Sequence, residues 1–313
     1  MLNKIFYTLK PAIPRRFQIF LRRQLIHYKM KNNKRIWPID PKAGETPRDW
    51  QGWPDNKKFA LLLSHDVDTQ RGHDNCLRLM EIEKSLGFRS CFNIVPEKYR
   101  FSMEVIETLK GNGFEVCVHG LKHDGKLFRS RKIFNKRAER INYYLKMWDS
   151  IGFTSPSMHH NLEWMHALNI QHATTTFDTD PFEPQPHSIR TIFPFWVSNS
   201  RNPQGGYVEL PLTLPQDHLL FVILQNKYID IWKKKIDWIA EKGGMVLVNT
   251  HPDYMNFNER IVGLEEYFAK YYREFLEYIK TIYKDQYWHV VPNELANFWK
   301  SNMVDHSLIR LSQ

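Results

Sequence analysis

Residues 61–70 read LLLSHDVDTQ, an apolar run that ends abruptly in a histidine and two aspartates. The three leucines predict a strand that is covered on both faces, as in a parallel sheet. The carboxylates of Asp66 and Asp68 would then lie at the carboxyl end of the strand, where α/β folds and barrels place their chemistry. Because aspartates are also common in turns, this interpretation needs partners elsewhere in the chain.

The chain beyond this stretch alternates between strand-like and helix-like segments. The helix DNCLRLMEIEKSLG (74–87) precedes the strand FRSCFNIVP (88–96), and the helix MEVIETLKGNG (103–113) precedes the strand FEVCVHG (114–120). Such alternation predicts parallel strands that are joined by crossover helices. The number of units favours an α/β fold of the distorted (β/α) barrel type over an open sheet.

Polar residues of the metal-site type follow four of the predicted strands. They are His65, Asp66 and Asp68 of HDVD, His119 and His123 of VHGLKH, Asp178 and Asp180 of FDTD, and His251 of VNTH. If the strands are parallel neighbours, all four ends converge on one rim. Two histidines spaced by four residues can reach one ion, and one carboxylate with two imidazoles is typical of catalytic zinc or a similar divalent ion.

Each motif is weak when it is taken alone. The chain has 14 histidines, Asp-x-Asp occurs in many turns, and His251 by itself would fit a buried core histidine. Their joint occurrence at successive strand ends predicts a single site. The three cysteines, Cys76, Cys91 and Cys117, lack metal-ligand spacing and favour a reduced, cytoplasmic compartment.

The net charge of +10 comes from the beginning of the chain. Residues 1–39 hold ten Lys or Arg and no Asp or Glu, so the remainder is formally balanced with 34 residues of each sign. We therefore divide the chain into a basic N-terminal arm, residues 1–50, and a catalytic domain, residues 51–313. No nucleic-acid partner is expected, because no nucleic-acid fold signature accompanies the charge.

The arm contains a predicted amphipathic helix. Its apolar residues at helical spacing are Phe17, Phe20, Leu21, Leu25 and Tyr28, and they are accompanied by Arg15, Arg16, Arg22 and Arg23. Such a helix either lies on an anionic membrane surface or packs on the body with its basic face in solvent. Because neither a membrane span nor a signal peptide is recognisable, we expect a cytoplasmic protein, either free or peripheral to the inner face of the membrane.

Residues 57–255 resemble the polysaccharide deacetylase family, also called the NodB-homology family or carbohydrate esterase family 4. HDVD is similar to the first family motif, which implies that Asp66 is the catalytic base and Asp68 a metal ligand. VHGLKH is similar to the second motif, which implies that His119 and His123 complete the ligand set. VLVNTH is similar to the fifth motif, which implies that His251 is the general acid.

Two positions of the family motifs have more than one candidate residue in this sequence. The fourth motif supplies an aspartate that orients the acid, and either Asp178 or Asp180 can fill this role. The third motif usually contains Arg-x-Pro, whose arginine holds the base, but FTSPSMHHN has Thr154 at this position. The candidates to replace the arginine are Arg71, Arg190, His159 and His160.

The resemblance implies a divalent metal cofactor, zinc before cobalt, iron or manganese. It also implies amide hydrolysis that removes an acetyl group from an N-acetylated sugar. We expect this acetylated sugar to belong to a cell-envelope polysaccharide or its lipid-linked precursor. The alternatives are a hydrolase of a small non-sugar amide, and a carbohydrate-binding or scaffold protein with little activity.

Overall fold

The computed structural model describes residues 14–185, 187–200, 202–258 and 262–303. The strands are β1 (Phe59–Val67), β2 (Cys91–Ile94), β3 (Glu115–His119), β4 (Gly152–Thr154), β5 (His172–Thr174), β6 (Phe195–Asn199), β7 (Asn202–Glu209), β8 (Met245–Thr250), β9 (Met255–Asn256), β10 (Tyr267–Phe268) and β11 (Tyr287–His289). The helices are α1 (Arg15–Asn32), α2 (Gln70–Leu86), α3 (Met103–Gly111), α4 (Arg131–Met147), α5 (Asp230–Lys242), α6 (Lys270–Ile282) and α7 (Pro292–Met303), with a π-helical turn at His218–Ile223.

Nine of the strands form one sheet in the order β11-β1-β2-β3-β4-β5-β7-β6, with β8 paired to β1. Within this sheet only the β6–β7 pairing is antiparallel. Beyond β7, Leu210 N–H donates to the Ala173 carbonyl (2.8 Å), and Thr213 N–H donates to the Leu247 carbonyl of β8 (3.2 Å). This segment connects the two sides of the curled sheet, so the predicted distorted (β/α) barrel is confirmed.

The central strand β1 explains why the apolar run was readable in the sequence. All nine of its residues are buried, because β1 pairs with β2, β8 and β11. The helix that follows begins at an N-cap, Thr69, whose side chain accepts a hydrogen bond from Gly72 N–H, and it ends at Gly87 in the left-handed conformation. These local signals set the point where the chain leaves the rim after Asp68.

Helix α1 packs on the body, but not through the apolar stripe that the spacing singled out. Ile19 and Ile26 are its buried residues. Its inner side also carries Arg23, which donates to the Val222 carbonyl (2.8 Å). The five apolar residues of the stripe are exposed instead. Among the described residues, none of the helices combines the length and the apolar character needed to cross a bilayer.

Candidate metal and catalytic site

The register of the parallel strands brings the predicted site residues to one rim. Asp66 on β1 lies opposite Asn93 on β2, and His119 at the end of β3 lies opposite Thr154 on β4. His251 follows the last residue of β8, the other neighbour of β1. Because neighbouring parallel strands end on the same side of a barrel, these side chains face a common space.

Asp68, His119 and His123 converge as a group of potential metal ligands. Asp68 Oδ1 lies 2.9 Å from His123 Nε2 and 3.3 Å from His119 Nε2. In a tetrahedral site with bonds of about 2.0–2.2 Å, the ligand atoms are roughly 3.4 Å apart. Asp68 Oδ1 is buried, and no described group donates a well-aligned hydrogen bond to it. A buried carboxylate oxygen that lies against two imidazole nitrogens without an aligned hydrogen bond is costly unless a cation meets it, so these residues fit a divalent ion.

Thr154, which stands where the family has arginine, orients one of these imidazoles. His119 Nδ1 lies 3.2 Å from the Thr154 carbonyl oxygen. Because a carbonyl can only accept, Nδ1 carries the proton and the Nε2 lone pair is directed toward Asp68. The neighbouring Gly120 has φ +60°, and a Cβ there would lie 2.7 Å from the Pro156 ring, so glycine is needed where the chain turns toward His123.

Asp253 fixes the backbone that presents Asp68. Its Oδ2 accepts from Asp68 N–H (3.0 Å), and its Oδ1 accepts from the Thr69 hydroxyl (2.5 Å). Burial, and then the charge of Asp68, raise the pKa of Asp253 to about 6. The sequence analysis missed this residue, although it lies two positions after His251 in the stretch HPD.

Two asparagines hold the carboxylate of Asp66. Asn93 Nδ2 donates to Oδ1 and Asn249 Nδ2 donates to Oδ2, each at 2.8 Å. These amides hold the carboxylate in the way expected of the family arginine. Of the proposed replacements, Arg71 instead pairs with Glu266 at 2.6 Å.

The other three proposed replacements also have different neighbours. Arg190 lies 3.5 Å from the carboxylate of Asp40. His160 Nδ1 bonds the Met158 carbonyl (3.0 Å), and burial lowers the pKa of His159. No hydrogen bond or ion pair between these three side chains and Asp66 is found in the described ranges, so this expectation is wrong. Neutral amides on β2 and β8, the strands that flank Asp66 on β1, carry no motif spacing, which is why the sequence did not reveal them.

Removing both amides should lower activity without removing the metal ligands. For Asn93→Ala/Asn249→Ala we expect kcat to fall about 10- to 100-fold, because the Asp66 carboxylate loses the contacts that fix its position. Steady-state rates of amide hydrolysis, with zinc affinity measured in parallel, test this. Asn297→Ala, on the exposed side of α7, is the control. An unchanged kcat in the double variant would show that the amides do not position Asp66.

Asp217 is the carboxylate that orients His251. Its Oδ1 accepts from His251 Nδ1–H (2.7 Å), while its Oδ2 accepts from His251 N–H (2.8 Å) and from the Tyr267 hydroxyl (2.8 Å). Burial lowers the pKa of His251, but the carboxylates of Asp217, Asp68 and Asp66 outweigh it and raise the pKa to about 10. The free Nε2 of His251 lies 4.0 Å from Asp66 Oδ2.

The expectation that Asp178 or Asp180 orients His251 is wrong. Asp178 forms a buried ion pair with Lys235, whose Nζ lies 2.8 Å from Asp178 Oδ2. Asp180 Oδ1 accepts from Phe182 N–H (2.9 Å). Burial is the main cause that raises the pKa of both aspartates to about 6.

A sequence signal for Asp217 did exist. It follows the apolar segment YVELPLTL (207–214) by three residues. This is the same kind of strand-end position as that of Asp68. The role of orienting His251 was assigned to the FDTD motif because this motif also follows a strand. Distance along the sequence does not decide which strand end faces His251.

The Asp178–Lys235 pair has a testable effect on stability. Lys235→Met should lower the free energy of unfolding by about 3–5 kcal/mol, because it leaves a buried carboxylate without its partner. Urea unfolding measures this loss. The matched control is Lys233→Met on the same helix, which removes a surface pair with Glu274 (3.2 Å) and a cation–π contact with Tyr278 and should cost about 1 kcal/mol or less. Equal losses for both variants would contradict the role of burial.

A second group of metal-type side chains comprises Cys91, Glu115 and Cys117. It lies toward the opposite end of the strands, since Cys91 and Glu115 begin β2 and β3. Burial raises the pKa of the Cys91 thiol to about 11, so this thiol stays protonated. Glu115 is already paired with His172 at 2.6 Å. This group is accounted for by packing and an ion pair.

His65 likewise has a structural setting. Its Nδ1 lies 2.7 Å from the Thr250 hydroxyl, and its Nε2 lies 2.9 Å from Glu83 Oε1. The side chain is fully buried, and it links β1 to β8 and α2. It therefore does not join the ligand group of Asp68.

No protein-family profile matches the sequence, and no curated protein matches it. Solved structures do match. A protein described as a polysaccharide deacetylase from Mycobacterium smegmatis gives a TM-score of 0.62 at 17% identity, over 86% of this chain and 99% of that chain. A second one, from Pseudomonas aeruginosa PAO1, gives 0.62 at 14% identity, over 85% and 99%. The fold is that of the polysaccharide deacetylases.

Among the similar structures, the polysaccharide deacetylase fold also occurs in a protein of a different name. PuuE allantoinase gives a TM-score of 0.58 at 16% identity, over 85% of this chain and 98% of that chain. The fold-level part of the sequence resemblance is thereby confirmed. Identities this low establish a common fold, so the chemistry has to be argued from the residues of the rim.

Proposed function

We propose that this protein is a metal-dependent hydrolase that removes the acetyl group from an N-acetylated sugar of a cell-envelope polysaccharide or its lipid-linked precursor. One observation carries the proposal. A carboxylate outside the ligand group, Asp66, stands between that group and an imidazole, His251, which Asp217 orients. Such an arrangement offers a base, an ion site and an acid on one rim, which is what amide hydrolysis requires.

The proposed ligands are Asp68, His119 and His123, and zinc is the ion that best matches one carboxylate and two imidazoles. When bound, a divalent ion of this type lowers the pKa of water toward about 7 and polarises an amide carbonyl. Three protein ligands leave positions open for water and substrate. The buried Asp68 Oδ1, which faces the Nε2 atoms of both histidines, and the fixed tautomer of His119 support this assignment.

Asp66 and His251 would divide the proton transfers between them. Asp66 accepts a proton from the attacking water while both of its oxygens stay anchored by Asn93 and Asn249. His251 holds its Nδ1 proton against Asp217 and directs Nε2 into the site. A proton on Nε2 can then pass to the nitrogen of the departing amine as the C–N bond breaks.

A second candidate reaction is hydrolysis of a small cyclic amide. The similarity to PuuE allantoinase favours it, because that enzyme shares the fold over almost its whole length. The same base, ion site and acid would serve both reactions, since each breaks a carbon–nitrogen amide bond. The two reactions differ in the substrate, which the shared groups do not select.

Acetate release from N-acetylated oligosaccharides tests the proposal. The protein would be loaded with zinc, cobalt, iron or manganese in turn, and a panel of cyclic amides would run beside the sugars. We expect ion-dependent acetate release that His119→Ala abolishes and that His27→Ala, at an exposed position of α1, preserves. Hydrolysis of cyclic amides alone would favour the second candidate. Ion binding without turnover of either panel would favour a binding or scaffold role.

A further inference from the structure

The outer face of α1 is an unusual surface for this protein. It consists of Phe17, Phe20, Leu21, Leu25 and Tyr28, whose exposed fractions run from 40% for Leu21 to 67% for Tyr28. These five are half of the ten exposed large hydrophobic residues in the described part of the chain. Scattered exposed apolar side chains are normal, but a contiguous patch on one element marks an interaction site.

The outer face is held in place by the opposite side of the helix. Ile19 and Ile26 are 2% exposed and pack into the core. Arg23 donates to the Val222 carbonyl (2.8 Å), and Lys29 Nζ donates to the Pro181 carbonyl (3.1 Å). The outer face is therefore a fixed surface on the folded protein, and folding has already ordered the helix that presents it.

The charge around the outer face has one sign. Residues 1–39 contain ten basic and no acidic residues, and Arg16, Arg22 and Lys31 of α1 are exposed. Of the acids that face the helix from the body, Glu265 is paired with Arg15, and Asp180 is buried and Glu183 half-buried near Arg22 and Lys29. A second copy of this chain would bring basic stripes against each other, which is unfavourable. An apolar face with basic flanks is complementary to an anionic lipid surface.

Helix α1 also lies beside the candidate catalytic rim. Val222, which Arg23 contacts, belongs to the π-helical turn that directly follows Asp217. Pro181, which Lys29 contacts, follows Asp180 in the loop after β5. Further along, the Thr179 hydroxyl donates to the Ile36 carbonyl (2.9 Å). The helix is therefore joined to the turn that follows Asp217, the partner of His251, and to the loop after β5.

We propose that the outer face of α1 docks on an anionic lipid bilayer and holds the candidate catalytic rim close to the membrane surface. The docking itself depends only on α1. Its consequence, access to a substrate whose sugar is carried on a membrane lipid, rests on the proposed function. In this arrangement the aromatic and leucine side chains enter the headgroup region, and the arginines and lysines meet the lipid phosphates.

Vesicle co-sedimentation of the full chain tests the docking. The probes are phosphatidylcholine vesicles with and without phosphatidylglycerol. We expect binding to the anionic vesicles that weakens at high salt. Phe17→Ser/Leu21→Ser/Leu25→Ser should weaken binding at least about 100-fold, because three apolar side chains lose their burial in lipid. The matched control is Tyr143→Ser/Met147→Ser, which removes exposed apolar side chains from α4 and should leave binding unchanged.

Several outcomes would overturn the docking proposal. The first is that the unaltered protein does not bind anionic vesicles, and the second is that it binds both kinds of vesicle equally. The third is that the triple variant binds anionic vesicles as tightly as the unaltered protein does. A dimer in solution that the triple variant converts to a monomer, without vesicle binding, would assign the outer face to a second copy. Circular dichroism of the triple variant should match that of the unaltered chain, since Ile19 and Ile26 are untouched.

Acetate release from a soluble oligosaccharide separates this proposal from the proposed function. The triple variant should retain that activity, because the outer face lies outside the candidate site. Vesicle binding without hydrolysis would leave the docking standing and remove the proposed reaction. Hydrolysis without vesicle binding would leave the proposed reaction standing and remove the docking.

Discussion

Replacing Asp66 with asparagine should reduce acetate release by about 100- to 10,000-fold, the range expected when a general base is lost. Asparagine keeps the size of the side chain but cannot accept the proton of the attacking water. Zinc affinity should change little, because Asp66 is outside the group formed by Asp68, His119 and His123. Single-turnover acetate release and equilibrium dialysis with zinc measure the two effects separately.

A nearby aspartate provides the control for this substitution. Asp74 lies on α2, its side chain is 66% exposed, and Asp74→Asn should leave both quantities unchanged. If Asp66→Asn lost zinc binding together with activity, Asp66 would have to be counted among the ligands. If it retained full activity, another group would have to act as the base.

Replacing Asp217 with asparagine should lower kcat by about 1,000- to 10,000-fold, as expected when an imidazole loses the carboxylate that sets its tautomer. Each oxygen of Asp217 accepts two hydrogen bonds, Oδ1 from His251 Nδ1–H and His218 N–H, and Oδ2 from His251 N–H and the Tyr267 hydroxyl. Asparagine removes the negative charge that stabilises a protonated imidazole, and its amide nitrogen cannot accept from the donors that it meets. The imidazole would then be held neutral, and a neutral imidazole is a poor acid for the leaving amine.

Tyr267→Phe distinguishes this effect from a general disturbance of the site. It removes one hydrogen bond to the Asp217 carboxylate but leaves the bond between Asp217 and His251 in place. We expect kcat to fall about tenfold or less. One hydrogen bond to a charged group contributes about 1.5–3 kcal/mol, and this one affects His251 only indirectly, through Asp217. Similar losses for Asp217→Asn and Tyr267→Phe would argue against a specific role for the carboxylate. The variant rates would be compared at saturating substrate.

The prediction of the fold succeeded because its signals are local. The buried run of β1 and Gly87, which ends the predicted helix in the left-handed conformation, each act within a few residues of sequence. Strand–helix alternation then leaves few topologies for a chain of parallel strands. The convergence of Asp68, His119 and His123 follows from the same logic, because their spacing placed all three at or just beyond strand ends.

The supporting contacts of the rim could not be predicted in this way. Asn93 and Asn249 reach Asp66 from strands 27 and 183 residues away in sequence. Asp217 was passed over because the sequence does not state which strand end faces His251. These contacts depend on the curvature of the barrel and on pairing across it, which are properties of the assembled sheet.

Helix α1 shows the same division between local and tertiary information. Local spacing determined that residues 15–32 form an amphipathic basic helix, because periodicity and charge act within the segment itself. The segment has apolar residues on both sides, so spacing alone could not tell whether Ile19 and Ile26 or the side of Phe17 and Leu25 would be buried. Only the tertiary structure decided this, because burial depends on the shape and the carbonyl groups of the body against which the helix packs.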